Sequence, residues 1–172
     1  MTITATGART TRSVLLHLTV GSFITFSSPP GEPIGGGAGD GVGIDTADFT
    51  AGVYFQQNAL RVQVLRRTPV LEFWMLEIAA PQGQPLRPGH YEGAVRSVSR
   101  TGTQPGLDFS AKGLGCSSLT GSFDVIEADY GGPGTVFDSL TVNRFRARFT
   151  QRCSSLSQAL TGEVRILMNP WR

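Results

Sequence analysis

The only two cysteines of the chain, Cys116 and Cys153, each open the tetrapeptide Cys-Ser-Ser-Leu, and each is followed shortly by Leu-Thr-Gly. Such a repeat can be a reactive thiol used twice or a covalent link between two strand ends. A catalytic thiol needs a neighbour that lowers its pKa, and the surrounding residues predict none. Two cysteines in matching contexts favour one disulfide bridge in an oxidising compartment, with two buried, reduced thiols as the alternative. A bridge closing a loop of about 38 residues would stabilise the fold by roughly 4 kcal/mol.

The chain has two histidines, His17 and His90, which are far apart in the sequence. Structural zinc needs three or four ligands, and no pair of cysteines or histidines has a ligand spacing such as CxxC or HxxxH. His17 lies in an apolar run, where it is expected to line the wall of a strand, and His90 lies in a Pro-Gly turn next to Tyr91. We therefore predict no zinc centre and no cofactor.

A small hydrolase is one alternative function, since a nucleophile, a base and a carboxylate need only meet in space. The nucleophile elbow GxSxG is absent. The serine candidates by type are Ser117, Ser118, Ser154 and Ser155. The carboxylates that a glycosidase could pair are Glu72, Glu77, Glu92, Asp124 and Glu127. We expect these carboxylates at outward strand positions. A cleft that brings His17 or His90 within hydrogen-bond reach of a serine or a carboxylate would favour the hydrolase.

Residues 28–48 form a glycine- and proline-rich segment that is expected to be one long loop. It lacks the lysine of a phosphate-binding GxxxxGK[ST] motif, and neither flank suggests a strand followed by a helix. Asp40, Asp45 and Asp48 lie in or beside this loop and are candidate calcium ligands, because calcium prefers carboxylate and carbonyl oxygens.

Aromatic residues with a polar group and clustered arginines are the candidate ligand-binding residues. Sugar-binding sandwiches stack rings on sugar faces and frame them with polar groups. The candidates for this role are Tyr54, Tyr91, Tyr130, Trp171, Arg146 and Arg148. Trp74 lies in the most apolar stretch and is expected in the core. Pairing of the arginines with acidic residues on adjacent strands is the alternative to a ligand-binding role for them.

Composition limits the classes of function that this chain can serve. The 172 residues fit one domain, and their 16% charged fraction is lower than the roughly 25% typical of a soluble domain. A formal net charge of +2 gives no electrostatic signature of nucleic-acid binding. The apolar run of residues 14–26 is too short for a membrane span and alternates like a strand, without a clear signal-peptide cleavage site. Compartment stays open, with secretion or a cell surface favoured if the cysteines are bridged.

Strand signals recur along the whole chain, and no helix of ordinary length is predicted. About nine strands with glycine-rich turns predict an all-β, antiparallel sandwich of jelly-roll or immunoglobulin-like type, with a barrel as the alternative. Residues 1–11 are expected to be a loose arm, and residues 12–172 a single domain. In the strand predicted at 136–151, the apolar parity changes, which predicts a β-bulge near residues 143–144. Leu119 and Leu160 are expected inside, with Gly121 and Gly162 at close approaches.

Four stretches, LRPGHYEGAVR, PGLDFSAKGLGC, LTGSFDV and ALTGEVRI, occur together between residues 85 and 168. They resemble an uncharacterised group of bacterial, often secreted, β-rich domains. That group has an LxPGxY strand, a Gly-Cys turn, an LxGxFxV strand and a second cysteine before an ALxGxV strand. The resemblance covers about half the chain and implies a disulfide-bridged sandwich between Cys116 and Cys153, with no activity to transfer.

The sequence thus predicts a non-enzymatic binding or structural module. The module would contact a protein partner or assemble at a cell or particle surface. In one form of this hypothesis the chain forms a homo-oligomer. Low charge and exposed strand edges, which invite strand addition, favour this function. A carbohydrate-binding sandwich and a small hydrolase remain the alternatives, so the partner is a protein or a glycan surface.

Overall fold

A computed structural model of the chain describes residues 2–6, 11–15, 21–54, 58–133, 139–154 and 157–168. These residues form twelve strands and one short 3-10 turn at Ser97–Ser99. The strands are β1 Thr2–Thr6, β2 Thr11–Leu15, β3 Phe23–Ser27, β4 Gly39–Gly43, β5 Ala47–Tyr54, β6 Ala59–Arg66, β7 Glu72–Ala79, β8 Gly89–Arg96, β9 Gly106–Ala111, β10 Leu119–Pro133, β11 Ser139–Cys153 and β12 Leu160–Leu167. The predicted all-β fold is confirmed, and no helix in the described residues is long and apolar enough to cross a membrane.

Ten of the strands form one mixed sheet in the order β10-β8-β9-β7-β6-β5-β11-β12-β3-β4, and β10 also pairs with β11. This second pairing closes a ring of seven strands, from which β12, β3 and β4 extend. All pairings are antiparallel except the short contact between β8 and β9. The closed ring combines features of the predicted sandwich and of the barrel alternative.

The sheet folds into two layers that pack their apolar faces together. We call β5, β6, β7 and β9 the first layer, and β10, β11, β12, β3 and β4 the second layer. Aromatic rings join the layers, because the ring centroids of Phe26 and Trp74 lie 5.3 Å apart and those of Phe109 and Phe149 lie 5.2 Å apart. Trp74 is fully buried, as predicted. Val, Leu and Phe at alternating strand positions fill the rest of this core, so most strands bury one face, whereas β9 and the end of β7 are buried on both faces.

A polar side chain also joins the two layers. Gln151 on β11 is buried, and its amide accepts a hydrogen bond from the Phe109 N–H at 2.8 Å and donates one to the Phe109 carbonyl at 3.0 Å. The same amide nitrogen lies 3.3 Å from the Cys116 sulfur. Sequence reasoning did not predict this contact, because a glutamine at an inward position has no distinctive pattern.

Strand β11 contains the bulge that its apolar parity predicts. Asp129 of β10 pairs with Arg144, and the next residue, Tyr130, pairs with Val142, so that Asn143 is the extra residue. Val142 and Phe145 are consequently both buried although their positions differ in parity. The prediction is confirmed.

The expected close approaches at Gly121 and Gly162 are also confirmed. A Cβ atom on Gly162 would collide with the Phe149 ring and would lie 2.7 Å from the Thr25 carbonyl oxygen. A Cβ atom on Gly121 would collide with the Thr150 carbonyl. Leu119 and Leu160 are buried, as expected.

The N-terminal and glycine-rich segments are more ordered than the sequence predicts. Residues 2–6, within the expected loose arm of residues 1–11, pair with residues 11–15 in a separate two-stranded antiparallel hairpin. The expected loop at 28–48 contains β4 and the start of β5, so only residues 28–38 connect β3 to β4. Glu32 organises this connection, because its buried carboxylate accepts hydrogen bonds from the N–H groups of Ile34 and Gly35.

Candidate functional site

The two cysteines form a disulfide bridge between the end of β11 and the residues that precede β10. Cys116 and Cys153 have Cα atoms 5.1 Å apart, and both are buried. Ser118 and Ser154 hydrogen-bond to each other at 3.2 Å, beside the bridge, and the Ser154 N–H donates to the Ser118 carbonyl. The two cysteines that open the repeated stretches therefore link two strand ends covalently.

His90 lies on the outer face of the sheet between two carboxylates. Its Nδ1 is 2.7 Å from Asp124 Oδ1, and its Nε2 is 3.1 Å from Glu92 Oε2. Hydrogen bonds to Asp124 and then to Glu92 raise the pKa of His90, which favours the imidazolium. The two carboxylates occupy opposite ring nitrogens, so no nitrogen is left to activate a serine, and the three side chains do not converge on one cation. His17 lies outside the described residues.

A row of ionic side chains crosses the outer face of the second layer from His90. Backbone register places His90 opposite Asp124, Asp124 opposite Arg148, Arg148 opposite Glu163, and Glu163 opposite Thr25. Glu163 also accepts a hydrogen bond from the Arg146 Nε at 2.8 Å. Burial raises the pKa of Glu163, but the hydrogen bonds from Arg146 and Arg148 outweigh it, and the net shift is downward.

A second row of outward side chains runs parallel to the first. Ser122, Thr150, Thr161 and Ser27 lie opposite one another on β10, β11, β12 and β3. We call the two rows together the polar face. The second row lines a groove of about 490 Å³ together with Thr25, Asp124, Arg148 and Glu163 of the first row. A second hollow of about 470 Å³ shares Thr25 and is lined by Phe23, Gly41, Gly43 and Asp45.

The predicted tyrosines do not form an aromatic platform. The Tyr91 ring stacks on Phe123 at 4.7 Å, and its hydroxyl donates to the Arg87 carbonyl at 2.9 Å. The Tyr130 hydroxyl donates to the Leu86 carbonyl at 2.9 Å, and burial raises the pKa of Tyr130 to about 12. Tyr54 lies under the Arg61 guanidinium. Trp171 lies outside the described residues.

Arginines on β6 and β8 pair with acidic residues of the neighbouring strands β7 and β9, as the alternative to ligand binding predicts. Arg61 Nε and Nη2 both contact Glu77 Oε2, and Arg96 Nε contacts Asp108 Oδ2 at 3.0 Å. Burial raises the pKa of Asp108, although Arg96 opposes the shift. Glu77 faces outward as predicted, but it is buried among these side chains. Glu77 and Asp108 are neighbours on β7 and β9, and each is bound by an arginine. The two carboxylates therefore belong to a network of ion pairs across the strands.

The three aspartates considered for calcium have other contacts. Asp40 accepts hydrogen bonds from both terminal nitrogens of Arg66 and an ion pair from Lys112 at 2.6 Å. The hydrogen bond from Arg66 is the largest cause that holds the pKa of Asp40 well below its usual range. Asp48 pairs with Arg67, and Asp45 lines the hollow beside Phe23. Among the described residues no group of three acidic, histidine or cysteine side chains could hold a metal ion.

The outer strand of the second layer, β4, has much of its exposed backbone occupied. Arg66 Nη2 donates to the Gly41 carbonyl at 2.8 Å, and the Gly41 N–H donates to Asp40. The Gly43 carbonyl accepts hydrogen bonds from the N–H and the hydroxyl of Thr46. A strand added at β4 would have to compete with these contacts. The sequence analysis favoured strand addition at exposed edges as a means of binding.

Five large apolar side chains are exposed at the end of the first layer where β6 turns into β7. We call this group the apolar patch; its members are Leu65, Val70, Leu71, Phe73 and Leu114. Leu65 and Phe73 are cross-strand partners, and the turn that carries Leu114 is joined to β7 by the hydrogen bond from the Lys112 N–H to the Phe73 carbonyl. The patch is the feature that sequence reasoning missed, because Leu65 and Phe73 differ from core residues only in the side of the strand they occupy, and Val70, Leu71 and Leu114 lie in connections outside the strands.

Searches of protein-family models, curated proteins and solved structures find no match to this chain.

Proposed function

We propose that this protein is a non-enzymatic binding module that contacts a protein partner through the apolar patch. The observation that carries the proposal is the exposure of the patch, whose members are between 41% and 69% exposed. Scattered apolar residues are normal on a protein surface, whereas a contiguous group at one corner is typical of an interaction site. Burying such a group on association removes apolar area from water and favours binding.

The partner that best fits the patch is a second copy of this chain. Asp48 and Arg67 form an exposed ion pair beside Leu65, and Lys112 lies beside Phe73. In a two-fold symmetric contact the same surface meets itself, so a rim that carries both signs of charge can pair with its own rotated copy. A structural module that assembles with itself fits this surface.

Sedimentation velocity of the wild type and two variants tests this proposal. We expect the wild type to change from monomer to dimer between about 5 and about 500 µM, the range in which a modest interface is expected to associate. Leu71→Asp places a charge in the patch and should weaken association about a hundredfold or more. Val98→Asp is the matched control, because Val98 is an equally exposed apolar residue outside the patch.

Two results would contradict the proposal. One is a wild type that stays monomeric over the whole range. The other is a dimer that Leu71→Asp and Val98→Asp weaken equally, since that would place the contact outside the patch. Circular dichroism of each variant would show whether the fold is intact.

A further inference from the structure

We infer that the polar face of the second layer is a second binding site, and that its ligand is a neutral oligosaccharide. The site lies on a different layer from the apolar patch and does not depend on self-association. The inference rests on three properties of this face, which are its unpartnered hydroxyls, the pairing of charges within its ionic row and the aromatic ring of Phe23 at its end.

The hydroxyls of this face are free to bind a ligand. Within the described part of the chain, the side chains of Thr25, Ser27, Ser122, Thr150 and Thr161 make no hydrogen bond to protein. Four of them form the cross-strand row, so they repeat at the strand spacing of about 4.8 Å. A hydroxyl both donates and accepts, which matches the hydroxyls of a sugar and carries no preference for an ionic ligand.

The charges of the ionic row pair with one another, while Arg146 and Arg165, opposite each other on β11 and β12, add positive charge beside the row. The ionic row alternates His90, Asp124, Arg148 and Glu163, and each cation contacts or faces an anion across the strands. A polyanion such as nucleic acid would meet Asp124 and Glu163, and a polycation would meet Arg148. Paired carboxylates and guanidinium groups still offer charge-assisted hydrogen bonds to neutral hydroxyls.

The ring of Phe23 and two glycines, Gly41 and Gly43, line an extension of the groove at its β3 and β4 end. Phe23 on β3 is half-buried and lines the second hollow, next to Gly41 and Gly43. Because these glycines carry no side chain, the surface beside the ring is left open. An apolar ring face beside hydroxyls and a carboxylate, Asp45, suits the mixed apolar and polar surface of a sugar ring. The two hollows share Thr25, so together they span β10 to β4 and suit a chain of several sugars.

Binding to an array of hexasaccharides followed by calorimetry tests this inference. The array contains neutral probes (cellohexaose, maltohexaose and chitohexaose) and anionic probes (hexasaccharides of hyaluronan and of polygalacturonate). We expect binding to at least one neutral probe and none that is confined to the anionic probes. The double variant Thr150→Val/Thr161→Val keeps side-chain shape and strand preference but removes two hydroxyls, and should weaken binding about tenfold.

Matched variants separate this site from the fold and from the apolar patch. Thr50→Val removes an exposed strand hydroxyl from β5 in the first layer, so its affinity should equal that of the wild type. Phe23→Leu removes the ring while keeping apolar volume, and should also weaken binding about tenfold. Leu71→Asp should bind the oligosaccharide normally.

Three outcomes would overturn the inference: no binding to any neutral hexasaccharide at millimolar concentration, binding to anionic probes alone, or equal losses in Thr50→Val and in the double variant. If Leu71→Asp abolished both dimer and sugar binding, the sugar site would not be independent of the apolar patch.

Discussion

At the scale of single residues, His90 is held between two carboxylates, those of Asp124 and Glu92. Both of its ring nitrogens contact carboxylates, and the hydrogen bonds to Asp124 and then to Glu92 raise the pKa of His90 and favour the imidazolium. A histidine within hydrogen-bond reach of a carboxylate, which the hydrolase alternative requires, is therefore present, but the arrangement of His90 suits an ion pair.

The His90 ion pairs can be tested by an NMR titration of the imidazole. We expect the pKa of His90 to lie above its usual value of 6.5, and Asp124→Asn to lower it, because Asp124 is the largest cause of the shift. A group with a raised pKa in the folded state stabilises the fold fully below its unfolded pKa, and this contribution is lost as the pH rises through the folded pKa. Asp48→Asn, which affects a carboxylate paired with Arg67, is the control. An unchanged His90 pKa in Asp124→Asn would contradict the contact.

Contacts between individual side chains were the features hardest to predict from the sequence. The candidate residues Arg146 and Arg148 both bind Glu163 of the polar face, whereas the hydroxyls of Tyr91 and Tyr130 bind the backbone carbonyls of residues 87 and 86. Composition identifies which residues can bind a ligand, but the partners of a side chain depend on strand register. Strand register depends on residues that are far apart in the chain, so it cannot be predicted from local sequence patterns.

At the scale of elements, the alternation of apolar residues predicts most strands and even the bulge at Asn143. Alternation is a local consequence of burying one face of a strand, so it can be recognised without knowledge of the partner strand. Strand β4 was missed because three of its five residues are glycine and leave no alternation to detect. Its position depends on pairing with β3 and on the contacts of Asp40 with Arg66.

The close approach of β11, β12 and β3 at Gly162 predicts a specific cost of substitution. Gly162→Ala should destabilise the fold by about 2 kcal/mol, because the added methyl would overlap the Phe149 ring and crowd the Thr25 carbonyl. Gly52→Ala is the matched strand control, since the nearest atom to its Cβ would lie at an ordinary 3.6 Å. Urea unfolding of both variants provides the comparison. Equal stability of the two variants would mean that the strands are not so closely packed.

At the scale of the whole molecule, a closed ring of strands joins the two layers, and one disulfide links the end of β11 to the residues before β10. The bridge links residues 37 positions apart and lies beside Gln151, which bonds β11 to β9. The sequence predicted the bridge and the all-β fold, but it could not predict the ring, because ring closure depends on β11 pairing with both β10 and β5.

Removal of the bridge tests its contribution to the whole fold. Cys116→Ala/Cys153→Ala should lower the free energy of unfolding by about 4 kcal/mol, mainly because the unfolded chain regains the entropy of the open loop. Denaturant unfolding of this variant and of the oxidised wild type measures the difference. A loss below about 1 kcal/mol would contradict the role of the bridge as a staple.

Hydrogen exchange measured at low and high protein concentration tests assembly through the apolar patch most directly. We expect the amides of residues 65–73 and 111–114 to exchange more slowly at high concentration, because these segments carry the patch and would be covered by the second copy. Amides at residues 97–99 and on the polar face should not change. Exchange that is independent of concentration in the patch segments, or protection that appears elsewhere instead, would contradict assembly through this surface.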